Sequence, residues 1–401
     1  MSKNITIISP NFWPEDTAIG LYNTQLSKLL TDNQYKVTVI TAFPYYPQWS
    51  IYKAYKSKPF LMEENFDGIR ILRSRQYIPS NPTFFKRILH LLSFTFGCVI
   101  NLIKTSKPDI VISIVPFTTT ILLGSVLKFC YGSKLWVHIQ DFEFDAANQT
   151  GYGSKLKTLF KGLYWIEKKL INQADVASTI SQSMIKMLEQ KTETTPFFLP
   201  NWIDENIITP NNYSQHQFLK SNKTKILYSG NIGQKQDWNI FLNFCKDIDP
   251  TQYQIIVVGD GAKKKWLMDQ ISLYNHVECY PPVPFMELSD LLCSTDFHIL
   301  FQKTEVIDTV MPSKILGMMA SGRPSIIIGN KNSEVKKTME DSKGGLYFNH
   351  YSKAIINKIE QLTTNPSKRL QMGGSARNYV ISNFSSQEIF EKVLNKMKTL
   401  Q

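Results

Sequence analysis

Two glycines and a lysine follow an apolar run in the middle of the chain. The run ILYSGN ends at Gly230 and Asn231, and Lys235 comes shortly afterwards. A glycine at the end of a strand lets the backbone turn sharply and approach a ligand, and the helix that follows presents free N–H groups and a positive dipole end to a phosphate. Lys235 would add a point charge to such a site. The same turn is also common in plain strand-to-helix connections, so both interpretations stay open for this stretch alone.

A second candidate anion site lies in the segment TVMPSKILG, residues 309–317. Pro312 and Ser313 predict the start of a helix, with Ser313 at or near its cap. Lys314 would then lie in the first turn, where acidic residues are normally preferred, so it suggests an anion beside the helix end. A solvated lysine at a helix end is the alternative. The chain contains no GxGxxG, GxxxxGKS or GxxxxGKT motif, which argues against dinucleotide-binding and P-loop sites.

Short β-rich runs alternate with helical patterns along the chain, which indicates parallel sheets covered by helices. The first set of runs is NITIISP, KVTVITAF, IRILRSR, DIVISIVP, KLWVHIQD, VASTIS and FFLPNW, and the second is KILYSGN, YQIIVVGD, VECYPPV, DFHILFQ, PSIIIGN and GGLYFN. Between the two sets, the polar, Asn-rich stretch near residues 203–222 is typical of a linker. The sequence therefore predicts an α/β protein with two doubly wound domains facing across a cleft and ligands at the carboxyl ends of the strands.

The composition of the 401 residues narrows the classes of function. The formal charge of +12 suits nucleic acid, an anionic membrane surface or phosphorylated small molecules. No nucleic-acid motif occurs, so no nucleic-acid partner is expected. Five scattered cysteines without a CxxC pair suggest neither a disulfide framework nor a zinc site. A mean hydropathy of -0.19, the lack of a long uncharged apolar run and an amino terminus unlike a signal peptide predict a cytoplasmic protein without a membrane span.

Seven motifs, in order along nearly the whole chain, resemble those of the retaining GT-B glycosyltransferases of family 4. They are FPYYPQW, HIQDFEFDA, STISQSM, LPNW, LYSGNIGQKQ, VVGDGAKK and MPSK. The resemblance is greatest to the sugar transferases of colanic-acid, capsule and exopolysaccharide synthesis, whose members include fucosyltransferases. It implies an acceptor-binding Rossmann-like domain at residues 1–203, a nucleotide-sugar-binding domain at 204–380 and a last helix at 381–401 that returns to the first domain.

The resemblance also implies a donor site, in which the residues beside the diphosphate would be Gly230, Asn231, Lys235, Ser313 and Lys314. Gly20, after the first strand, matches an amino-terminal glycine of the family that faces the diphosphate, although a glycine at a helix start is the alternative explanation. Val283 and Pro284, after the strand VECYPP, occupy the place where the backbone of family members meets the base.

Two features of the family are missing from this chain. The positions that align with the family's two glutamates are Thr309 and Gly317, so the usual anchor of the donor ribose is absent. The histidine that many relatives carry after the fourth strand is also absent, because DIVISIVP offers Ser113 and Val115 there.

His138 and Asp141 in HIQD therefore become the candidates for the reacting centre, together with Lys235. Their spacing predicts that Asp141 lies just beyond the strand, in a loop. Glu143 and Asp145 follow closely, and a group of carboxylates could orient the acceptor hydroxyl or take its proton. An Asp that caps the next helix is the alternative.

The implied reaction moves a sugar from a nucleoside diphosphate sugar to an acceptor hydroxyl with retention of the anomeric configuration. Lys235 and Lys314 would stabilise the charge on the leaving diphosphate, so no metal or other cofactor is expected. GDP-fucose is the first choice of donor, and a UDP-N-acetyl-deoxysugar is the second. The product would belong to a bacterial surface polysaccharide such as an exopolysaccharide, a capsule or lipopolysaccharide.

The acceptor is expected to be a polyprenyl-diphosphate-linked saccharide. Residues 82–109 form the most apolar long stretch of the chain, with basic residues at both ends: Lys86, Arg87, Lys104 and Lys107. Its central apolar run is too short to cross a bilayer but suits a helix on an anionic membrane surface. The sequence therefore predicts a peripheral protein on the inner face of the cell membrane, with a buried domain helix as the alternative.

Two other classes of function share this architecture. A nucleoside-diphosphate-sugar 2-epimerase would release a free nucleotide sugar without an acceptor, and an inactive sugar-binding scaffold would retain the fold without turnover. The HIQD, STIS and PNW motifs and the apolar basic stretch argue against the epimerase. The presence of both candidate phosphate sites argues against the scaffold.

Overall fold

Strand and helix alternate along the chain, as the apolar runs predict. The computed structural model describes residues 3–16, 18–80, 84–142, 144–145, 157–304 and 313–400. The chain divides into two units: unit 1 consists of Met1–Pro200 with Phe390–Gln401, and unit 2 consists of Asn201–Ile389. The sequence placed this boundary after residue 203 and the start of the last segment at residue 381.

Unit 1 is built on an eight-stranded sheet in the order β3-β4-β2-β1-β5-β6-β7-β8. Its strands are β1 (Asn4–Ile8), β2 (Lys36–Ala42), β3 (Leu61–Phe66), β4 (Ile69–Ser74), β5 (Ile110–Val115), β6 (Lys134–Ile139), β7 (Val176–Thr179) and β8 (Phe197–Phe198). Its helices are α1 (Ala18–Asp32), α2 (Phe84–Leu102), α3 (Thr119–Tyr131), α4 (Lys157–Ile171) and α5 (Gln182–Glu189). Every pair of strands is parallel except β3 with β4.

Strand β3 is the one strand of unit 1 that the sequence analysis missed. It pairs with β4 as an antiparallel hairpin, so this edge departs from the parallel sheet that was expected. The turn is Asp67-Gly68, with φ angles of 50° and 81°. Two positive φ angles fit the two-residue hairpin turn that favours Asp-Gly. That dipeptide was the available signal, whereas LMEENF itself lacks the β-branched residues of a typical strand.

Unit 2 is built on a six-stranded sheet in the order β11-β10-β9-β12-β13-β14, and every pair is parallel. The strands are β9 (Thr224–Ser229), β10 (Tyr253–Val258), β11 (Val277–Tyr280), β12 (Phe297–Phe301), β13 (Ser325–Ile328) and β14 (Gly345–Phe348). Each lies within a predicted run, except that β9 begins one residue earlier. The helices are α6 (Trp238–Asp247), α7 (Lys264–Ile271), α8 (Leu288–Cys293), α9 (Ser313–Ala320), α10 (Glu334–Ser342), α11 (Ala354–Thr363) and α12 (Pro366–Phe384). The last helix, α13 (Ser386–Thr399), begins in unit 2 and belongs to unit 1 from Phe390 onwards. Connections run to opposite sides of β9, which makes its carboxyl end the expected ligand position.

The polar stretch near residues 203–222 packs on unit 2 and is not a free linker. Ile208 and Leu219 are fully buried in the hydrophobic core of that unit. The backbone N–H of Ile203 donates to the carbonyl oxygen of Phe384 at 2.8 Å. The segment is polar in composition, but the buried side chains of Ile208 and Leu219 are enough to fix it against the core.

Helix α2 packs with one side on the sheet of unit 1. Phe94 and Cys98 are fully buried on that side, and a Cβ on Gly97 would lie 2.2 Å from the hydroxyl oxygen of Ser74 in β4. By length and composition, the segment Phe85–Leu102 passes as a possible membrane span, the one such helix among the described residues, and a third of it is buried. The central apolar run of this helix is too short to span a bilayer, and its packing on β4 supports a helix that belongs to the unit.

Candidate functional site

The loops that follow β9 and β10 lie in direct contact at the carboxyl edge of unit 2. The N–H of Gly230 donates to the carbonyl oxygen of Val258 at 2.9 Å, and the N–H of Ile232 donates to that of Asp260 at 2.8 Å. A Cβ on Gly259 would lie only 1.9 Å from the carbonyl oxygen of Gly230, so this close approach requires glycine. The loop after β10, within VVGDGAKK, thus packs against and hydrogen-bonds to the GNIG turn after β9.

Lys314 reaches this turn from the first turn of α9. Its Nζ lies 3.2 Å from the position that a Cβ on Gly230 would take, and Gly230 has a φ of 130°. The ammonium donates to the hydroxyl of Tyr228 at 3.2 Å and lies 4.9 Å from the centre of its ring. In turn, the Tyr228 hydroxyl donates to the carbonyl oxygen of Asn231 at 2.6 Å. The structure therefore brings together three residues of the predicted donor site, Gly230, Asn231 and Lys314.

Tyr228 is a member of this cluster that the sequence analysis did not identify. It is fully buried in β9, and burial raises the pKa of its phenol far above the ordinary value, so the hydroxyl stays protonated. An aromatic residue with a polar tip, placed just before a glycine turn, was the available signal. Its hydroxyl accepts from one predicted site residue and donates to another, so it links Lys314 to the backbone at Asn231.

Lys235 lies at the exposed end of the same loop. Its side chain makes no hydrogen bond or ion pair to any residue that the structure describes. Its carbonyl oxygen accepts from the N–H of Lys303 at 3.1 Å, and Gln236 pairs with Gln302 in an isolated bridge. The loop is therefore fixed through its backbone to the end of β12, while the ammonium of Lys235 projects from it.

The helix after this loop has an acidic cap, so a phosphate site at its amino terminus stays a prediction. Helix α6 begins at Trp238, and the carboxylate of Asp237 accepts from the N–H of Ile240 at 3.1 Å. A negatively charged cap already occupies this helix end. Helix α9, by contrast, begins at Ser313 as predicted and carries Lys314 in its first turn, while Pro312 lies outside the described residues.

Other predicted donor-site positions lie further along the same edge or within the core. Val283 packs against the hydrophobic core after β11, and Pro284 is exposed, directly before a short 3-10 helix. Strand β11 is separated from β9 by β10. Gly317 is buried in α9, where a Cβ would lie 3.3 Å from Leu292. Thr309, the other position aligned with a family glutamate, lies outside the described residues.

In unit 1, Gly20 is the third residue of α1 and is buried. A Cβ there would lie 2.7 Å from the carbonyl oxygen of Glu15 and 2.8 Å from its Cβ, so packing alone requires the glycine. The Glu15 carboxylate accepts from the N–H groups of Tyr45 and Tyr46, each at 2.7 Å, and from the amide of Asn11 at 2.9 Å. Burial raises the pKa of Glu15, and these hydrogen bonds oppose that rise. The structure thus supports the helix-start explanation of Gly20.

His138 is buried in β6 with both ring nitrogens engaged. Nδ1 lies 2.9 Å from the hydroxyl of Ser178, and Nε2 lies 2.9 Å from the amide nitrogen of Gln140. Burial lowers the pKa of His138 to about 3, so the ring is neutral near pH 7. Since an amide nitrogen only donates, Nε2 accepts the bond from Gln140. His138 can act on an acceptor hydroxyl only if Gln140 first gives up this hydrogen bond.

The carboxylates after β6 have different surroundings. Asp141 lies in the bend beyond β6 and is partly exposed, as its spacing from His138 predicts. Asp145 is ion-paired with Lys191, which also pairs with the buried Glu167, and a cluster of carboxylates that includes Asp145 stays a prediction. Glu143 lies outside the described residues. Of this group, the described structure leaves Asp141 as the candidate that lies directly after the strand.

Positions Ser113 and Val115, which replace the family histidine, are both buried in β5, and the Ser113 hydroxyl donates to the carbonyl oxygen of Thr120 at 2.8 Å. Neither position offers a free acid or base. Among the described residues, no group of three or more His, Cys, Asp or Glu side chains is placed to hold a metal ion.

Comparison with known proteins identifies relatives for both sequence and fold. A model of the family described as "Glycosyl transferases group 1" matches residues 223–365. The chain is 30% identical over 363 residues to a putative colanic acid biosynthesis glycosyl transferase, WcaI, of Escherichia coli strain K12, and the match covers 85% of this chain and 86% of that protein. The sequence thus has a polysaccharide-synthesis relative along most of its length.

Two solved structures resemble the whole chain. Sucrose-phosphate synthase from Thermosynechococcus elongatus gives a TM-score of 0.75 at 14% identity, with 99% of each chain covered. The Anabaena protein Alr3699/HepE, in complex with UDP and glucose, gives a TM-score of 0.69 at 13% identity and covers 99% of this chain and 100% of its own. These likenesses confirm the predicted α/β fold with two Rossmann-like sheets, the GT-B architecture.

Proposed function

Because this chain belongs to the glycosyltransferase group 1 family, we propose that it moves a sugar from a nucleoside diphosphate sugar to a hydroxyl of a lipid-linked saccharide, with retention of the anomeric configuration. The observation that carries this proposal is the cluster at the end of β9. There the ammonium of Lys314 lies against the turn at Gly230, which has no side chain of its own. A diphosphate needs both a close backbone approach and positive charge.

The proposed chemistry gives the lysines an electrostatic role. As the bond to the sugar breaks, negative charge develops on the leaving diphosphate, and Lys314 and Lys235 would stabilise it without a metal ion. Lys314 is held in place by Tyr228, so little reorganisation is needed when the charge develops. Ser313, Asn231 and the backbone of Gly230 would complete the contacts with the diphosphate.

The proposed donor is GDP-fucose first and a UDP-N-acetyl-deoxysugar second. The identity with the colanic-acid relative supports the first choice, because fucosyltransferases occur in that class. The complex of HepE with UDP supports the second. Val283 and Pro284, beyond the edge strand β11, would meet the base through the backbone.

The proposed acceptor is a polyprenyl-diphosphate-linked saccharide of a bacterial surface polysaccharide, an exopolysaccharide, a capsule or lipopolysaccharide. It would bind unit 1, where Asp141 lies directly after β6 and would orient the acceptor hydroxyl. The exposed basic residues at the two ends of α2, Lys86, Arg87, Lys104 and Lys107, support a peripheral position on the inner face of the cell membrane.

Incubation with a panel of nucleotide sugars, with and without a polyprenyl-diphosphate-linked acceptor, tests the function. We expect transfer only when both are present, with retained configuration at the new linkage by NMR, and the same rate in EDTA. Release of a rearranged nucleotide sugar without an acceptor would indicate a 2-epimerase. Binding without turnover would indicate a scaffold.

Thermal-shift measurements with GDP, UDP and dTDP identify the base of the nucleotide that the protein binds. A nucleotide at 100 times its dissociation constant should stabilise the protein by about 2.7 kcal/mol, whereas the wrong nucleotides should do so much less. Equal shifts with all three would contradict recognition of the base near Val283 and Pro284.

A further inference from the structure

Unit 1 exposes a broad apolar surface on three adjacent helices. The exposed apolar side chains of α2, α3 and α4, together with the residue just after α2, form what we call the three-helix face: Phe85, Ile88, Leu89, Leu92, Phe96, Val99, Ile103, Leu122, Val126, Phe129, Trp165 and Ile166. Phe129 is 93% exposed, Phe85 78% and Trp165 63%. Monomeric soluble proteins rarely leave so many large apolar side chains together in water.

The three helices are neighbours on the fold. Helix α2 packs against α3, and α3 packs against α4. The hydroxyl of Thr95 in α2 donates to that of Thr119 in α3 at 2.7 Å. Along α2 the exposed apolar residues recur at helical spacing, on the side opposite the buried Phe94 and Cys98. The exposed side chains therefore form one continuous stripe on α2, with contributions from α3 and α4 beside it.

The charges on these helices have one sign at the surface. The three helices contain a single acidic residue, Glu167, which is buried and ion-paired with Lys191. Basic side chains are exposed around the apolar residues: Lys86, Arg87, Lys104, Lys107, Lys161, Lys168 and Lys169. An apolar surface with basic neighbours and no exposed carboxylate on the three helices themselves is complementary to anionic headgroups above acyl chains.

We propose that the three-helix face docks on an anionic lipid bilayer, with Phe129 of α3 and Trp165 of α4 entering the boundary between headgroups and acyl chains beside the stripe of α2. This inference rests on the proposed function, because a lipid-linked acceptor places the enzyme at a membrane, and it adds α3 and α4 to the surface expected from α2. A tryptophan suits this boundary since one end of its ring is apolar and the other donates a hydrogen bond. Helix α2 lies on the bilayer and does not cross it, because its other side covers β4.

Cosedimentation of the full chain with vesicles tests the proposal. We expect binding to vesicles of phosphatidylcholine with phosphatidylglycerol at low salt, weaker binding to pure phosphatidylcholine, and release by high salt. Phe129→Gln should weaken binding about 10-fold, because a large aromatic side chain no longer leaves water. Leu273→Gln in unit 2, which is 81% exposed in the free protein, is the matched control and should bind as the native protein does.

Two further measurements decide what covers the face. Lipids brominated on their acyl chains should quench fluorescence of the native protein more than that of Trp165→Phe. Phe129→Gln should keep the nucleotide thermal shift and the transfer to a soluble acceptor analogue. A failure of the membrane proposal can therefore be distinguished from a failure of the proposed function. Normal vesicle binding by Phe129→Gln, or a dimer in sedimentation velocity that this substitution dissociates, would overturn the proposal.

Discussion

Lys314 contacts the turn at the end of β9 in unit 2, and Lys191 contacts the segment after β6 in unit 1. The two lysines have different neighbours. Lys191 lies between the carboxylates of Asp145 and Glu167. Lys314 contacts a phenol and the backbone turn at Gly230. An ammonium bonded to two carboxylates serves the folded state, whereas an ammonium beside an open glycine turn suits an anionic ligand. The surroundings of each lysine, and not its residue type, therefore suggest a stabilising role for Lys191 and support the proposed diphosphate contact for Lys314.

The largest effect on stability should come from Lys191→Met. This change leaves the buried carboxylate of Glu167 without its cation, and such a loss costs about 3–5 kcal/mol. Urea unfolding should show this loss of unfolding free energy for Lys191→Met. The control is Lys186→Met at an exposed position, which should change stability by no more than about 0.5 kcal/mol. An equal effect of the two substitutions would contradict a structural role for Lys191.

The pH dependence of the same variant sharpens this test. Burial raises the pKa of Glu167 in the folded protein, and the pKa should rise further when Lys191 is removed. A carboxyl whose folded pKa exceeds its unfolded pKa favours folding as it takes up a proton. The deficit of Lys191→Met should therefore shrink as the pH falls from 7 towards the acidic range. A deficit that stays constant would mean that Glu167 is not the group left uncompensated.

The next largest effect should be catalytic and confined to unit 2. Lys314→Ala and Lys235→Ala should each lower the transfer rate about 100-fold to 1,000-fold, because each removes positive charge from the proposed diphosphate site. The double variant should lose less than the product of the two, since both act on one group. Lys→Arg should rescue only in part, because a forked guanidinium does not reproduce a compact ammonium.

Lys235→Ala is the cleaner of these two tests. The side chain of Lys235 is exposed and makes no hydrogen bond or ion pair to the described residues. The melting temperature of Lys235→Ala should therefore stay near native, as should that of the surface control Lys358→Ala. Near-native transfer by Lys235→Ala would show that this lysine is only solvated. In that case the charge at the turn would come from Lys314.

An effect that is small near neutral pH and grows as the pH falls should come from His138. Burial lowers its pKa to about 3, so the native protein should lose about 1.4 kcal/mol per pH unit as the pH falls below about 6.5 towards that value. His138→Gln should remove the contribution of His138 to the slope of unfolding free energy against pH. The buried His298 of unit 2, whose pKa burial also lowers to about 3, should keep its own share as an internal comparison. An unchanged slope in His138→Gln would contradict a buried, neutral imidazole.

The sequence predicted the strands of unit 2 better than those of unit 1, for a physical reason. Strands such as YQIIVVGD are covered on both sides and form continuous apolar runs, whereas β3 lies at an edge and its residues are mostly half-exposed. Its polar residues hide it from a search for apolar runs. Only the Asp67-Gly68 turn marks it.

The site was predictable where the signal is local and not where it depends on distant partners. Gly230 and Lys314 each stand in a recognisable short motif, and the structure brings them together. The ion pair of Asp145 with Lys191, far along the chain, could not be predicted from the residues around Asp145, and the same holds for the cap that Asp237 places on the helix after Lys235. Tyr228 was missed because a buried strand residue looks like core until the contact with Lys314 is known.

The smallest predicted effect tests whether Tyr228 positions Lys314. Tyr228→Phe keeps the ring 4.9 Å from the ammonium but removes the hydroxyl that accepts from Lys314 and donates to Asn231. The net loss of a hydrogen bond is about 0.5–1.5 kcal/mol, which corresponds to roughly a 2-fold to 10-fold change. We expect it in kcat more than in KM, since Lys314 would act on charge that develops as the diphosphate leaves.

Tyr253→Phe is the matched control, because Tyr253 is a buried tyrosine of the neighbouring strand β10 whose hydroxyl lies 3.2 Å from that of Thr363. Both substitutions should cost similar stability, but only Tyr228→Phe should slow transfer. In a Lys314→Ala background, Tyr228→Phe should have little further effect on rate, because there is no longer an ammonium to place. An undiminished effect in that background would show that Tyr228 acts through the loop at Asn231 and not through Lys314. The difference between Lys191 and Lys314 would then depend on the turn at Gly230 and not on how the ammonium of Lys314 is positioned.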